Sequence, residues 1–431
     1  MRHLDVLNGG SLNGVIEIPG DKSISHRSIM FGAIADGLTT VRGCLIGEDV
    51  LSTMDAFRLM GVEIDTHDLD CLRIMGVGLN GLKPPVRAIH LGNSGTSMRL
   101  LAGILAGAGL DATLQGDSSL SQRPMERIVA PLRQMGADIA MSSGKTPPLQ
   151  IKSGNALKGM SYEMPIISAQ VKSGLLLAGL YAEGTTIISE TRRSRDHSER
   201  MLPQFGINLD ISERTVGING GQRLTSCDIT VPSDISSAAF FMLGAAISSD
   251  SKILLPQVGF NETRSGVINI LRLMKANIEV RQDNFKTGEP VADISVGSSA
   301  LSGVEIPSKC IPAAIDEFPA IFIAAACAKG VTVLRGAEEL RHKESDRISV
   351  MAEGLRNLGI KVETYADGIS ITGGQITGGC VDARGDHRVA MAFSMAALKA
   401  SGNISIKNCD GIATSFPSFI EVAKLAGLRI Q

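Results

Sequence analysis

Along the chain the apolar positions fall in blocks, and the blocks repeat. A polar turn opens an Ala/Leu/Gly-rich run long enough for a helix of three or four turns, and Gly followed by a β-branched strand closes it. The first three copies read Asp21-Lys22-Ser23 into FGAIADGLTTV, Asn93-Ser94-Gly95 into LAGILAGAGLDATL and Ser168-Ala169-Gln170 into LLLAGLYAEGTTII. The next three read Ser233-Asp234-Ile235 into FFMLGAAISSDSKILL, Asp316-Glu317-Phe318 into IFIAAACAKGVTVL and Gly385-Asp386-His387 into AFSMAALKASGNISI. Their spacing, roughly 65 to 85 residues, is too long for a solenoid and suits a small α/β unit.

A second signal runs in step with the first. Each copy ends in a helix that turns sharply into a strand, at FRLMGVEI, LRQMGADI, LPQFGINL, LRLMKANI, LRNLGIKV and AKLAGLRI. Five of these turns place Gly61, Gly136, Gly206, Gly359 or Gly427 where a left-handed helix C-cap is needed, and Lys275 stands in the fourth. The expected fold is therefore α/β, with six copies of one unit divided into two domains of three. Matching turns at Ile18-Pro19-Gly20-Asp21 and Val231-Pro232-Ser233-Asp234 are the expected crossovers. On this reading residues 21–233 form one domain and residues 1–20 plus 234–431 the other, with hinges near Gly20 and Ser233.

Composition narrows the function. The 431 residues are 44% hydrophobic and 20% charged, as in an ordinary globular chain, and no apolar run reaches the length of a membrane span. A net charge of −2 removes the global attraction that a nucleic-acid binder needs, so any anion site must be local. The seven cysteines are scattered without a C-x-x-C pair, and the seven histidines show no ligand spacing, so neither a metal nor a disulfide framework is expected. The start, Met1-Arg2-His3-Leu4-Asp5, lacks the order of a signal peptide, which predicts a cytoplasmic protein.

Candidate chemistry sits at the starts of the repeated helices, where unpaired N–H groups and the helix dipole favour anions. Lys22 and Arg27 lie on adjacent turns beside Ser23; Arg123 precedes Pro124, a residue suited to the first helical position. In TRRSRDHSER, Arg192 and Arg193 read as a solvated run and Arg195, beside Asp196, as the best anion contact. Arg341 to Arg347 packs six ionisable side chains into seven positions, more than a solvated helix needs, although a salt-bridge ladder would also explain it. Asp386-His387-Arg388 adds a basic pair. Guanidinium groups in this number suggest a substrate carrying both phosphate and carboxylate; Asp316 and Glu344 among them read either as structural carboxylates or, in a closed cleft, as groups that move protons, and Lys22, crowded by other cations, as a candidate acid.

The segments PGDKSISHR, LGNSGTSMRL, RPMERIVAPLRQMGA, ISAQVKSGLLLAGL, AIDEFPA, LRHKESDR, GDHRVAMAF and ATSFP, in this order, resemble the signature blocks of the 5-enolpyruvylshikimate-3-phosphate synthases, closer to their class II form. The resemblance implies two inverse α/β barrels of three units each. It implies transfer of enolpyruvyl from phosphoenolpyruvate to the 5-hydroxyl of shikimate 3-phosphate, with phosphate released, no cofactor and no metal. It assigns shikimate 3-phosphate to Lys22, Ser23, Arg27, Ser168, Ala169, Gln170, Arg195, Asp316 and Lys343. Phosphoenolpyruvate falls to Lys22, Asn93, Gly95, Arg123, Gln170, Arg347 and Arg388. Asp316 would accept the hydroxyl proton; Glu344 and Lys22 remain alternative proton donors. One departure is that Thr414-Ser415-Phe416-Pro417 lacks the lysine that many class I members place before Thr-Phe-Pro. The expected partners are the two small substrates, with no nucleic acid or membrane, and the expected state is a monomer. Two rivals differ in testable ways. The transferase acting on UDP-N-acetylglucosamine has a reactive cysteine where Gly116 to Pro124 has none, and a non-catalytic phosphometabolite binder would not need Asp316 and Glu344.

Overall fold

The six apolar runs fold as the helices Lys22–Ile34, Gly95–Gly107, Ala169–Tyr181, Ile235–Ile247, Phe318–Cys327 and His387–Ala396 in a computed structural model that describes residues 3–282 and 288–431. Met1 and Arg2, part of the segment read for a signal peptide, lie outside the described residues. Apolar residues on every side leave such a helix no solvated face, so it belongs in a core; all thirteen residues of Ile235–Ile247 are buried. Where two of these helices approach closely, glycine makes the room. A Cβ on Gly103 would lie 2.0 Å from the carbonyl oxygen of Gly174.

Each central helix is followed by a strand, and the strands form six small sheets of one plan. In the second copy, Ile89–His90 runs parallel to Ala112–Gln115, which pairs antiparallel with Leu149–Lys152, which pairs antiparallel with Asp138–Ala140. The third copy repeats this with Ser161–Glu163, Thr185–Ser189, Thr215–Asn219 and Leu209–Ile211. The first copy takes its parallel strand from far along the chain, since Asp228–Thr230 pairs with Ala35–Arg42. The N-terminal residues are shared likewise. His3–Val6 pairs with Ile404–Lys407 of the last copy, and Asn13–Val15 pairs with Lys252–Gly259 of the fourth.

These exchanges close two compact units, Lys22–Val231 and Met1–Asp21 with Pro232–Gln431, each around its own apolar core. Within the second of these the two Pro-containing turns pair with each other. Asp21 N donates to the Pro232 carbonyl at 2.8 Å and Asp234 N to the Pro19 carbonyl at 2.9 Å.

All six helix-to-strand turns hold a residue at positive φ: Gly61, Gly136, Gly206, Gly359 and Gly427, and Lys275 at φ 70°. A side chain in this region costs about 1–2 kcal/mol, part of which glycine returns through its freer unfolded chain. Lys275 is exposed, so little packing is lost on its removal. Lys275→Gly should stabilise the protein by about 0.5–1 kcal/mol, read as a higher denaturation midpoint; a lower midpoint would mean that the Lys275 side chain contributes more than its backbone costs.

Candidate functional site

In the unit Lys22–Val231 the three central helices begin side by side, tied by their first turns. Ser94 caps Gly95–Gly107 by accepting from Ser97 N, and Ser168 caps Ala169–Tyr181 by accepting from Val171 N. Buried His26 joins the first helix to this framework: its Nδ1 lies 2.8 Å from Thr53 Oγ1 and 3.3 Å from Ser97 Oγ. Gln170 Oε1 accepts from Arg99 Nη1 at 2.7 Å while its Nε2 donates to Thr96 Oγ1 at 2.9 Å, which locks the second helix start to the third.

The cations emerge from this framework in different company. Lys22 Nζ donates to Asp49 Oδ2 at 2.9 Å. Arg27 is buried, with Nε on Ser198 Oγ at 2.8 Å, Nη2 on Ser173 Oγ at 2.7 Å and Nη1 on the Ser23 carbonyl at 3.0 Å. Arg123 Nη2 donates to Asn93 Oδ1, and Asn93 Nδ2 donates to Asp117 Oδ2 at 2.8 Å. A Cβ on Gly95 would meet Arg99 Nη1 at 2.7 Å and Arg123 Nη1 at 3.3 Å, so its lack of a side chain keeps space beside two guanidinium groups. Arg195 is half-buried; its neighbour Asp196 pairs with Arg193 at 2.9 Å and with Arg200 at 3.0 Å. Behind that loop, buried Lys172 Nζ sits 2.6 Å from both Glu190 Oε1 and Glu199 Oε1. One expectation is corrected. Pro124 is not the first helical residue, because the helix starts at Glu126 and Arg123 ends a short 3-10 turn in the extended backbone that a residue before proline prefers.

In the other unit Asp316, Lys343, Glu344, Arg347 and Arg388 come together. Arg347 is fully buried and distributes its guanidinium over three carboxylates: Nε to Asp386 Oδ2 at 2.8 Å, Nη2 to Glu344 Oε2 at 2.6 Å and Nη1 to Asp316 Oδ1 at 3.5 Å. Burial works against its charge, but Asp386, Glu344 and Asp316 outweigh it and hold its pKa above the ordinary guanidinium value. Lys343 Nζ is 3.5 Å from Asp316 Oδ1 and from Glu339 Oε1. Arg388 Nη1 donates to the Asp316 carbonyl at 3.1 Å and lies 3.7 Å from Glu317 Oε1; its Nε and Nη2 make no hydrogen bond among the described residues. The crowded Arg341–Arg347 run thus divides. Arg341 pairs with Asp346 at 2.7 Å and Glu344 with Arg347 at 2.6 Å as a ladder would, while Lys343 also reaches Asp316 and Arg347 reaches Asp316 and Asp386 outside the run. Thr414 is in a 3-10 turn with its hydroxyl on the Gly411 carbonyl at 2.7 Å.

Sequence reasoning passed over Arg264. It is buried, with Nη1 on Asp21 Oδ2 at 2.9 Å and Nη2 on Asp234 Oδ1 at 3.1 Å and Ser236 Oγ at 2.7 Å. It therefore joins the acids of the two matching Pro-containing turns. Their matching position was the available signal: two buried acids in equivalent turns need a shared cation. Arg99, Asp49 and Glu317 were missed as well: Arg99 is a lone charge in an apolar run, while Asp49 and Glu317 each sit beside another acid at a helix start and read as first-turn or capping acids.

A family model described as EPSP synthase (3-phosphoshikimate 1-carboxyvinyltransferase) matches residues 6–423. A 3-phosphoshikimate 1-carboxyvinyltransferase of Methylococcus capsulatus is 57% identical over 423 residues, covering 98% of this chain and 97% of the relative. One of Nitrosococcus oceani is 55% identical over 426 residues, covering 99% and 96%. Among solved structures, an EPSP synthase from Acinetobacter baumannii superposes with a TM-score of 0.89 at 51% identity, covering 100% of this chain and 99% of that one. The enolpyruvyl transferase NikO from Streptomyces tendae reaches 0.78 at 17% identity, covering 100% and 98%, which shows the shared fold alone.

The Arg264 cluster carries a pH signature. Asp234's carboxyl is pushed up to about 6, first by burial and then by the Asp21 carboxylate, against the pull of Arg264 and Arg388. A folded pKa above the unfolded one contributes stability that is complete below the ordinary carboxyl range and lost as pH rises through about 6. The stability of the wild type relative to Asp234→Asn should therefore fall between about pH 4 and pH 6, by on the order of 2–3 kcal/mol. Denaturation curves across that range test this; a constant difference would show that the carboxyl titrates alike in the folded and unfolded chain.

Proposed function

This chain belongs to the EPSP synthase family, and from that premise we propose a division of labour among its residues. The reaction is transfer of the enolpyruvyl group of phosphoenolpyruvate to the 5-hydroxyl of shikimate 3-phosphate with release of phosphate, a step of aromatic amino acid biosynthesis. The observation that carries the division is the meeting of Asp316, Lys343 and Glu344 around buried Arg347, a pair of carboxylates held by cations at the start of a buried helix. Such a pair fits proton transfer better than ligand retention.

Shikimate 3-phosphate is held through its phosphate by Ser23, Arg27, Ser168, Ala169, Gln170 and Arg195, with Lys22 beside them, and through its ring hydroxyls by Asp316 and Lys343. Phosphoenolpyruvate is held by Lys22, Asn93, Gly95, Arg123, Gln170, Arg347 and Arg388. Two arginine groups are needed because this substrate carries a phosphate and a carboxylate, each suited to bidentate guanidinium donors. Asp316 takes the proton of the 5-hydroxyl as its oxygen bonds to the enol carbon, and the methylene carbon takes a proton from Glu344 or Lys22. The tetrahedral intermediate then loses phosphate as a proton leaves the methyl carbon and the double bond re-forms. The free state of all seven cysteines suits a reducing compartment, and the chain is read as a cytoplasmic monomer.

Mixing the purified chain with phosphoenolpyruvate and shikimate 3-phosphate should release inorganic phosphate, and UDP-N-acetylglucosamine as the acceptor should not. Release only with the sugar nucleotide would reassign the acceptor. Asp316→Ala should keep both ligands bindable while lowering kcat by on the order of 10²-fold or more; near-normal kcat removes it as the base. Of Glu344→Gln and Lys22→Arg, the variant that abolishes exchange of solvent deuterium into the methylene group identifies the proton donor, and unchanged exchange in both excludes both.

A further inference from the structure

Glu317 follows the proposed base Asp316 and is wholly buried, yet it does not cap the helix Phe318–Cys327 that it precedes. Its Oε1 accepts from the Ser236 hydroxyl and lies 3.7 Å from Arg388 Nη1 and 3.9 Å from Arg264 Nη2; its Oε2 has no hydrogen-bond partner among the described residues. A buried carboxylate with one hydrogen bond is costly unless neighbouring cations balance it. Arg264 is already taken by Asp21, Asp234 and Ser236, which leaves Arg388 as the cation whose placement Glu317 can set. We infer that Glu317 is a positioning residue for phosphoenolpyruvate binding: with the Asp316 carbonyl it holds one edge of the Arg388 guanidinium and so aims the opposite edge at the substrate anion.

The geometry favours this over a purely architectural role. Both groups that hold Arg388 Nη1 belong to consecutive residues, Asp316 through its carbonyl and Glu317 through its carboxylate. The Nε and Nη2 groups, without protein partners among the described residues, are the pair that a carboxylate or phosphate engages bidentately. Ser236 fixes Glu317 from behind, and Arg264 fixes Ser236. Arg388 is therefore braced by a chain of buried contacts before any substrate arrives, which lowers the ordering cost of binding.

The inference rests on the proposed role of Arg388, and steady-state kinetics of Glu317→Gln, Arg388→Lys and the double variant separate the two. Glu317→Gln should raise KM for phosphoenolpyruvate about tenfold, leave KM for shikimate 3-phosphate within about twofold, and add almost nothing once Arg388→Lys is present, because the two substitutions disable one contact. Equal effects in both backgrounds, or parallel rises in both KM values, would overturn the inference. An unchanged phosphoenolpyruvate KM in Arg388→Lys alone overturns the role of Arg388 itself; a raised value there beside a normal one in Glu317→Gln overturns only the role of Glu317. If Glu317→Gln does not fold, Ser236→Ala removes the hydroxyl that donates to Glu317 while keeping the carboxylate's charge, and should raise the same KM in the same sense. A normal value in that variant counts against the inference.

Discussion

A helix buried on every side can present polar chemistry only at its ends, and six such helices impose that rule on this protein. Their flanks are apolar by necessity, since any polar group there would lose water without gaining a partner. Their N-termini carry N–H groups that the helix itself leaves unpaired. In each unit these ends are tied to one another, by His26, Thr53, Ser97, Arg99 and Gln170 in one and by Ser236, Glu317 and Arg388 in the other. The candidate residues gather there because the fold leaves them almost nowhere else to be both ordered and polar.

The two sets of helix starts differ in charge. That of Lys22–Val231 is tied through neutral groups, hydroxyls, an imidazole and the Gln170 amide on which Arg99 docks, and Lys22, Arg27, Arg123 and Arg195 stand around these ties. The set in the other unit is built on ions: Asp316, Glu344 and Asp386 around Arg347, and Asp21, Asp234 and Glu317 around Arg264. Neutral ties hold geometry without disturbing a neighbouring anion. Buried ion pairs hold it more stiffly, and removing one partner typically costs about 3–5 kcal/mol because the other is left uncompensated.

The sixfold plan was legible because burial and backbone geometry leave local marks: an apolar run between a polar turn and a strand, and glycine at a left-handed cap. Even the exception was visible, since Lys275 takes the glycine conformation at the one turn that lacks glycine. Candidate residues in dense motifs, such as Lys343, Glu344 and Arg347, could be found for the same reason. Arg264 left no such local mark, because its partners Asp21 and Asp234 are 243 and 30 residues away and a window around it shows one ordinary cation; only the matching turns that carry the two acids pointed to a shared cation, and not to which one. Glu317 was hidden differently. At the position before a helix an acid reads as a cap, and only the structure shows its side chain turned to Ser236 instead.

Arg347 and Arg388 were read from the sequence as equivalent anion contacts, and their surroundings make them unlike. Each polar group of the Arg347 guanidinium already faces a carboxylate, so an arriving anion must share it with Asp316 or Glu344 or displace one of them. Arg388 keeps one edge uncommitted and can accept an anion without breaking an existing pair. On the proposed reading the two therefore act in sequence. Arg388 contributes binding, whereas an anion that reaches Arg347 loosens its hold on Asp316 and Glu344, the two carboxylates read as proton carriers. Substrate binding would then alter the carboxylates at the moment when proton transfer is needed, an interaction realised more in the transition state than in the empty site, which is the kind that accelerates a reaction.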